Sequence, residues 1–428
     1  MDKNIKERWK AIDQGLVPKG YRKTKVGIVP EDWDVKKFSE LFKVSQGLQI
    51  PIKDRLNSAG EDRYIYITNE LINNLKNKNY NIEYIEKPNS NVISNKEDIL
   101  MTRTGNTGIV VSGIEGVFHN NFFKIRYDEE AINRLFLIYR LESDDIQHEI
   151  KKLAGTSTIP DLTHGDFYSL YIAFPEISEQ EKIADILSTW DRAIESYGKL
   201  LEEKKERKKG LMQLLLTGEK RLGGFTGPWK EVRLGEIGEF KTSSVDKKIR
   251  KNEHPINLLN YMDVYNNNTI CREIKFVEST ASNSQLQVSD VLKGDIFFTP
   301  SSETREDIGR SSVVLDNIDN LLYSYHLIRF RLYKNFDMDL IFRAYCFNNI
   351  EIHKQFYSLA TGSTRYTLSI KDFNGIKIRI PDLEEQKAIA EVLATADREI
   401  DLLEKLIEEL EEEKKGLMQL LLKGIVRV

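Results

Sequence analysis

The sequence predicts a mixed α/β (α+β) protein made of two similar domains and two long helices. Three observations predict it. One segment occurs twice, almost letter for letter. Both copies carry a heptad-type apolar spacing. The stretch before each copy holds short apolar runs between polar loops.

The repeat comes first. Lys208–Gly218 reads KKGLMQLLLTG and Lys414–Gly424 reads KKGLMQLLLKG, ten identities in eleven positions at a separation of 206 residues. At the same separation Gln180, Ile183, Ala184, Leu187, Thr189, Asp191, Arg192 and Ile194 match Gln386, Ile389, Ala390, Leu393, Thr395, Asp397, Arg398 and Ile400. Upstream the match weakens and drifts. Asp166-Phe167 and Pro175 align with Asp372-Phe373 and Pro381 at 206, Asp98 to Thr102 resembles Asp295 to Thr299 at 197, and Trp33 resembles Trp229 at 196. The drift means that the second copy carries insertions, mostly in its middle. The resulting division is an N-terminal segment 1–30, a first domain 31–177, a central helix 178–218, a second domain 219–383 with a short linker, and a C-terminal helix 384–428.

The helices are placed at 179–217 and 385–423 by start and stop signals. Ser178 precedes Glu181 and Asp382 precedes Glu385 at capping-box spacing, while Gly218 and Gly424 end the runs. No proline interrupts either. Apolar residues step by four and three: Ile183, Leu187, Trp190, Ile194, Tyr197 and Leu201 in one, Ile389, Leu393, Ala396, Ile400, Leu403 and Ile407 in the other. Lys204, Lys208 and Lys414 break the runs. This is the coiled-coil period, and two matched helices in one chain are most simply partners for each other. Ile183, Leu187, Trp190, Ile194, Leu201, Ile389, Leu393, Ile400, Leu403 and Ile407 are the candidate pairing residues. A helix packed only on its own domain is the plainer reading. The spacing leaves parallel and antiparallel pairing both open.

In the domains, 64–68, 98–102, 108–111 and 122–126 read as short strands, followed by a helix over 131–152. The second copy repeats the order, with a helix around 340–358. The loops between are rich in Arg, Asn, Thr, Ser and Gly: 102–108 and 155–160 in the first copy, 299–305 and 362–366 in the second. Arginine and asparagine make bidentate contacts to guanine and adenine edges, and hydroxyls bind bases or phosphates. A solvated turn is the plain reading of any one such residue; recurrence in both copies favours function.

Composition excludes several classes. Two cysteines, Cys271 and Cys346, support neither a disulfide framework nor a Cys-rich zinc site. The histidines lack metal-ligand spacing, so no metal is expected. No phosphate loop, dinucleotide fingerprint, HExxH, GxSxG or methyltransferase Asn/Asp-Pro-Pro-aromatic motif occurs. Pro381 to Lys387 holds the letters of a nuclease site, but its carboxylates crowd into a helix cap. No secretory signal and no apolar run of ~18 residues is present, so the expected location is the cytoplasm. Lys+Arg is 63 against Asp+Glu 67, a formal net charge of −4; any nucleic-acid surface is therefore local or shared with a partner.

Several segments together resemble the specificity subunits of type I restriction–modification systems. They are 20–38 (GlyTyrArgLysThr to LysLysPhe), 362–373 (GlySerThrArgTyr to LysAspPhe), 380–390 (IleProAspLeuGluGluGlnLysAlaIleAla), 397–400 (AspArgGluIle) and the twin KKGLMQLLL runs. The resemblance spans nearly the whole chain. It implies two target-recognition domains, each reading half of a split, asymmetric site on double-stranded DNA. It implies an antiparallel coiled coil, with the repeats related by a pseudo-twofold axis. It also implies docking of two modification (methyltransferase) subunits, which would hold S-adenosylmethionine, and of restriction (motor-nuclease) subunits. The chain itself would be non-catalytic and hold no cofactor. The candidate base readers are Arg103, Thr104, Asn106 and Thr158 in the first domain, and Ser302, Arg305, Arg365 and Tyr366 in the second. A coiled-coil scaffold and a regulator with twin DNA-binding domains are the other classes. The segment 1–30, with Ile5, Trp9 and Ile12 at helical spacing, is expected beside the C-terminal helix.

Overall fold

The computed structural model describes residues 3–75, 77, 79–156 and 158–428; Ser157, within the predicted loop 155–160, lies outside the described residues. The chain divides into two compact units, Met1–Tyr197 with Leu406–Val428, and Gly198–Lys405. Each long helix is therefore shared between units. This corrects the sequence division, which made each helix a segment of its own. The reason is packing: Ile183, Ala184 and Leu187 sit in one core with Leu421 and Leu422, whereas Ile389, Ala390 and Leu393 sit in another with Leu215 and Leu216.

In the first unit, Asp34–Lys37 pairs antiparallel with Tyr171–Phe174, so the first and last strands of the domain lie side by side. Between them a four-stranded antiparallel sheet runs in the order Lys43–Gln46, Phe122–Arg126, Ile99–Thr102, Val110–Val111. A second four-stranded sheet holds Arg63–Ile67, which pairs parallel with Gly116–Phe118. Strand Phe122–Arg126 is buried on both faces, apart from its last residue. Its Lys124 is tolerated there because Nζ meets Asp98 at 2.5 Å and donates to the Ile93 carbonyl at 3.1 Å.

The second unit repeats this plan. Lys230–Arg233 pairs antiparallel with Lys377–Ile380. A five-stranded sheet runs Gly238–Thr242, Ile328–Leu332, Ile296–Phe298, Ser311–Val314, Thr269–Ile270. A three-stranded sheet is centred on His254–Leu259. The single helix predicted over 131–152 is two helices, Arg134–Glu142 and Asp144–Ala154, and that around 340–358 is likewise Leu340–Cys346 and Ile350–Leu359. Ser143 takes an extended conformation and breaks the first run, and Asn349 caps the new start in the second with hydrogen bonds from the Glu351 and Ile352 amides.

The long helices span Ile177–Leu216 and Leu383–Leu422, 40 residues each. Asp382 caps the second, accepting from the Glu385 amide at 2.9 Å. In the first the equivalent position is Glu176, so Ser178 lies inside the first turn and does not cap. Gln180 and Gln386 anchor the two starts alike, each accepting from a domain amide at 2.9 Å (Asn133 and Asp339) and donating to Pro175 or Pro381.

Residues 1–30 reach the end of the second helix, as expected. The Tyr21 hydroxyl donates to the Gly424 carbonyl at 2.7 Å, and Arg8 donates to that of Ile425 at 2.6 Å. Among the described residues no helix is long and apolar enough to cross a membrane.

Candidate nucleic-acid interface

The loops singled out in the sequence are far apart along the chain, and each domain brings its two together. In the first, strand Ile99–Thr102 ends in a tight loop closed by Gly108, whose amide donates to the Thr102 carbonyl at 2.8 Å with φ +95°. The Gly105 amide donates to Pro160 at 2.9 Å, the Leu162 amide to Arg103 at 2.8 Å, and Thr104 faces Asp161 across an isolated bridge.

The second domain builds the same frame. The Gly309 amide donates to Thr299 at 3.0 Å with φ +78°, and that of Leu368 to Pro300 at 2.9 Å. Ser301–Ser302 pairs with Tyr366–Thr367. Any Cβ at Gly309 would run into the Phe356 ring, so the turn requires glycine. The second loop is longer: residues 300–308 lie between its closing pair, against 103–107 in the first. This insertion raises the offset from 197 at Thr102 to 201 at Gly108, part of the drift to 206 seen in the sequence.

Side chains on this common frame differ. Arg103 is not a free reader. It forms an ion pair with Asp161 at 2.8 Å, donates to the Leu162 carbonyl at 3.2 Å and stacks over Phe123 at 5.3 Å. Thr104 is also committed, its hydroxyl donating to Asp161 at 2.5 Å. Asn106 and Thr158 are exposed. In the second domain Ser302 is buried, its hydroxyl accepting from the Thr304 amide at 3.3 Å. Arg305 is exposed, with its guanidinium 5.0 Å over the ring of half-buried Tyr366. Arg365 is exposed and donates through Nε to the Ser301 hydroxyl at 3.2 Å. Nearby, His326 is held below its usual pKa, first by burial and then by the positive charge of Arg365 and Lys247.

Two residues that sequence reasoning missed tether these loops. The Asn69 amide donates to the Thr104 carbonyl at 2.9 Å, and the Tyr261 hydroxyl donates to that of Ser301 at 3.0 Å. Each opens a short helix after a strand. They share no residue type, so no motif announces the equivalence.

The helix pair is the second functional surface. In the first unit Lys414 meets Asp191 at 2.5 Å, and Arg427 meets Glu179 at 2.6 Å. In the second, Lys208 meets Asp397, Lys204 meets Glu399 at 2.6 Å, and Lys205 meets Glu404 at 2.8 Å. Asp191 meets Lys414 while the earlier Ile183 and Leu187 share a core with the later Leu421 and Leu422, and Lys208 meets Asp397 while the later Leu215 and Leu216 share a core with the earlier Ile389 and Leu393, so the pairing within each unit is antiparallel. Tyr139 and Tyr345 join these clusters, each donating at 2.6 Å to Asp191 or Asp397. Burial, and then the adjacent aspartate, push both phenols far up. The lysines that break the heptad pattern are thus the cross-helix contacts. Ile183, Leu187, Ile389 and Leu393 are fully buried, but within the domain cores. Ile400 is buried, and Trp190, Ile194, Leu201, Leu403 and Ile407 are half-buried.

The family model for the type I restriction modification DNA specificity domain matches residues 30–204 and again 226–412. The chain belongs to that family. It is the DNA-specificity subunit of a type I restriction–modification system, it works with modification and restriction subunits on DNA, and it is not itself an enzyme. The scaffold and regulator readings are therefore not favoured. Among its relatives is the MjaVIII specificity subunit of Methanocaldococcus jannaschii, 27% identical over 414 residues and 94% of each chain. Another is the EcoKI specificity subunit of Escherichia coli, 23% identical over 85% of this chain and 82% of the relative. A solved chain from a study of complex assembly and conformational transition in the type I system shares the fold, with a TM-score of 0.61, 17% identity, and 93% of this chain and 99% of that one covered. The S subunit of a type I restriction–modification system from M. genitalium aligns with a TM-score of 0.50 and 17% identity over 91% of this chain and 96% of that one.

Proposed function

We propose that each domain of this specificity subunit reads one half of a split, asymmetric site on duplex DNA through its pair of bridged loops. The observation that supports this is a shared backbone frame bearing different side chains. The bridges Thr104 to Asp161 and Ser301 to Thr367 are equivalent, yet Arg103 is replaced by Pro300 and Pro160 by Tyr366. A common scaffold with divergent contact groups suits two readers of different half-sites.

In this reading the paired helices fix the spacing between half-sites and dock two modification subunits, which hold S-adenosylmethionine and methylate adenine. A helix of 40 residues is about 60 Å long, more than one ~34 Å turn of B-DNA. The net charge of −4 fits a chain that leaves much of the phosphate contact to its partners in the cytoplasm.

The test is domain exchange. Residues 31–177 are replaced by those of a relative with another target, the hybrid is co-expressed with the modification subunit, and the methylated motif is sequenced. One half-site changes and the other stays. A change in both halves sinks the modular reading.

A further inference from the structure

The bridged frame puts two residues in equivalent places. Pro160 accepts from the Gly105 amide, and Tyr366 pairs with Ser302. The helices before them end in buried Ala154 and just before buried Ala360, respectively, with equal numbers of residues to the bridge. The residue one step before the bridge is therefore Ile159 in the first domain and Arg365 in the second.

We propose that this position determines specificity in both half-sites: Arg365 contacts a guanine, and Ile159 contacts the C5-methyl of a thymine. The proposal rests on the reading that these loops face DNA.

Ile159 is 64% exposed. At that exposure the side chain presents an apolar surface on the loop. In the major groove the apolar feature of a base pair is the thymine methyl, and the group that matches guanine O6 and N7 is an arginine fork. Arg365 is prepared for that task. Its Nε is held by the Ser301 hydroxyl at 3.2 Å, and among the described residues its two terminal nitrogens make no hydrogen bond. Ser301 is held in turn by the Tyr261 hydroxyl on its carbonyl. A pinned Nε with a free NH1/NH2 pair is a planar fork whose direction is set before DNA arrives. The first domain offers no comparable arginine in its bridged loops, because Arg103 is spent on Asp161, the Leu162 carbonyl and the Phe123 ring. Tyr261 is a positioning residue for Arg365 and does not itself reach a base in this scheme.

The experiment uses the full chain co-expressed with its modification subunit, with methylated motifs read by single-molecule sequencing. The unaltered chain yields a motif with guanine in the half-site assigned to the second domain by exchange, and thymine in the other. Arg365→Ala relaxes that guanine alone, with discrimination falling by about 5- to 150-fold. Arg365→Lys keeps the charge and loses the fork, so it relaxes the same position. Tyr261→Phe weakens discrimination there and nowhere else, which a merely stabilising residue would not do. Ile159→Ala admits cytosine in place of thymine in the first half-site only. The proposal is overturned if Arg365→Ala leaves the motif unchanged, alters the other half-site, or abolishes all modification in a chain that still assembles with its partner. Such a result, with domain exchange still moving one half-site, would leave the modular reading intact; scrambling of both halves by the exchange would sink that reading instead.

Discussion

Asp161 holds two side chains of the first bridged loop, the Arg103 guanidinium and the Thr104 hydroxyl. Replacing it with alanine leaves a guanidinium 15% exposed without its counter-charge. That should cost about 1–3 kcal/mol, read as a lower urea midpoint for the first domain. Asn106→Ala removes an exposed amide and should cost under about 0.5 kcal/mol, while changing the sequence preference of one half-site. The contrast separates a residue that builds the loop from one proposed to read the site. His353 gives a pH test. Burial and then Arg310 hold its pKa below the ordinary value. The unfolded chain takes up a proton near pH ~6.5 that the folded unit refuses. Its contribution is therefore complete above that pH and declines as the pH falls. Thermal melts should show a smaller loss between roughly pH 7.5 and 5.5 in His353→Gln, the residue type that the first copy carries at Gln147. An unchanged pH slope would remove His353 from this account.

At the scale of elements, the helices owe their pairing to two kinds of contact. Their first and last turns are buried in domain cores, where each fully buried Leu or Ile contributes about 1.5–3 kcal/mol. Their middles are half-buried and carry cross-helix ion pairs. Lys208 and Asp397, with Tyr345 under the lysine at 5.8 Å, form the most sheltered of these in the second unit. Lys208→Glu should lower the melting temperature of that unit, and the further change Asp397→Lys should restore part of the loss. A double-mutant cycle measures the coupling; a coupling indistinguishable from zero would mean that apolar packing alone sets the register. The heptad pattern located these helices but ranked their residues poorly. Lys204 and Lys208 look like defects in it, because a seven-residue template scores only apolarity. Long lysine stems lie along apolar surface and deliver the charge beyond it.

At the scale of the whole molecule, each unit is closed by an arginine from the segment just after a long helix. Arg427 bridges Glu179 and Asp32, as Arg221 bridges Glu385 in the second unit. Glu179 and Glu385 are both buried, so each depends on its arginine. Arg427→Ala should destabilise the first unit by about 2–3 kcal/mol, less than for a wholly buried pair because the arginine is partly exposed. Differential scanning calorimetry should show the lower-melting transition move while the other holds; two transitions falling together would indicate that the units unfold as one.

The sequence by itself determined the duplication, the helices and the absence of catalytic motifs, because these are local: a repeated string, a period, a spacing. It also placed the four loops, because turn chemistry and polarity are local too. Only the tertiary structure decided which side chains in those loops are free. Arg103 and Arg365 look alike as letters, but Asp161 and Phe123 meet the first, whereas among the described residues the second donates a hydrogen bond to the Ser301 hydroxyl alone. Partners brought from 58 and 64 residues away settle that difference, and no pattern along the chain records them. The same limit explains the cut through each helix. The period fixes which face is apolar, whereas burial against one core or the other fixes where a unit ends.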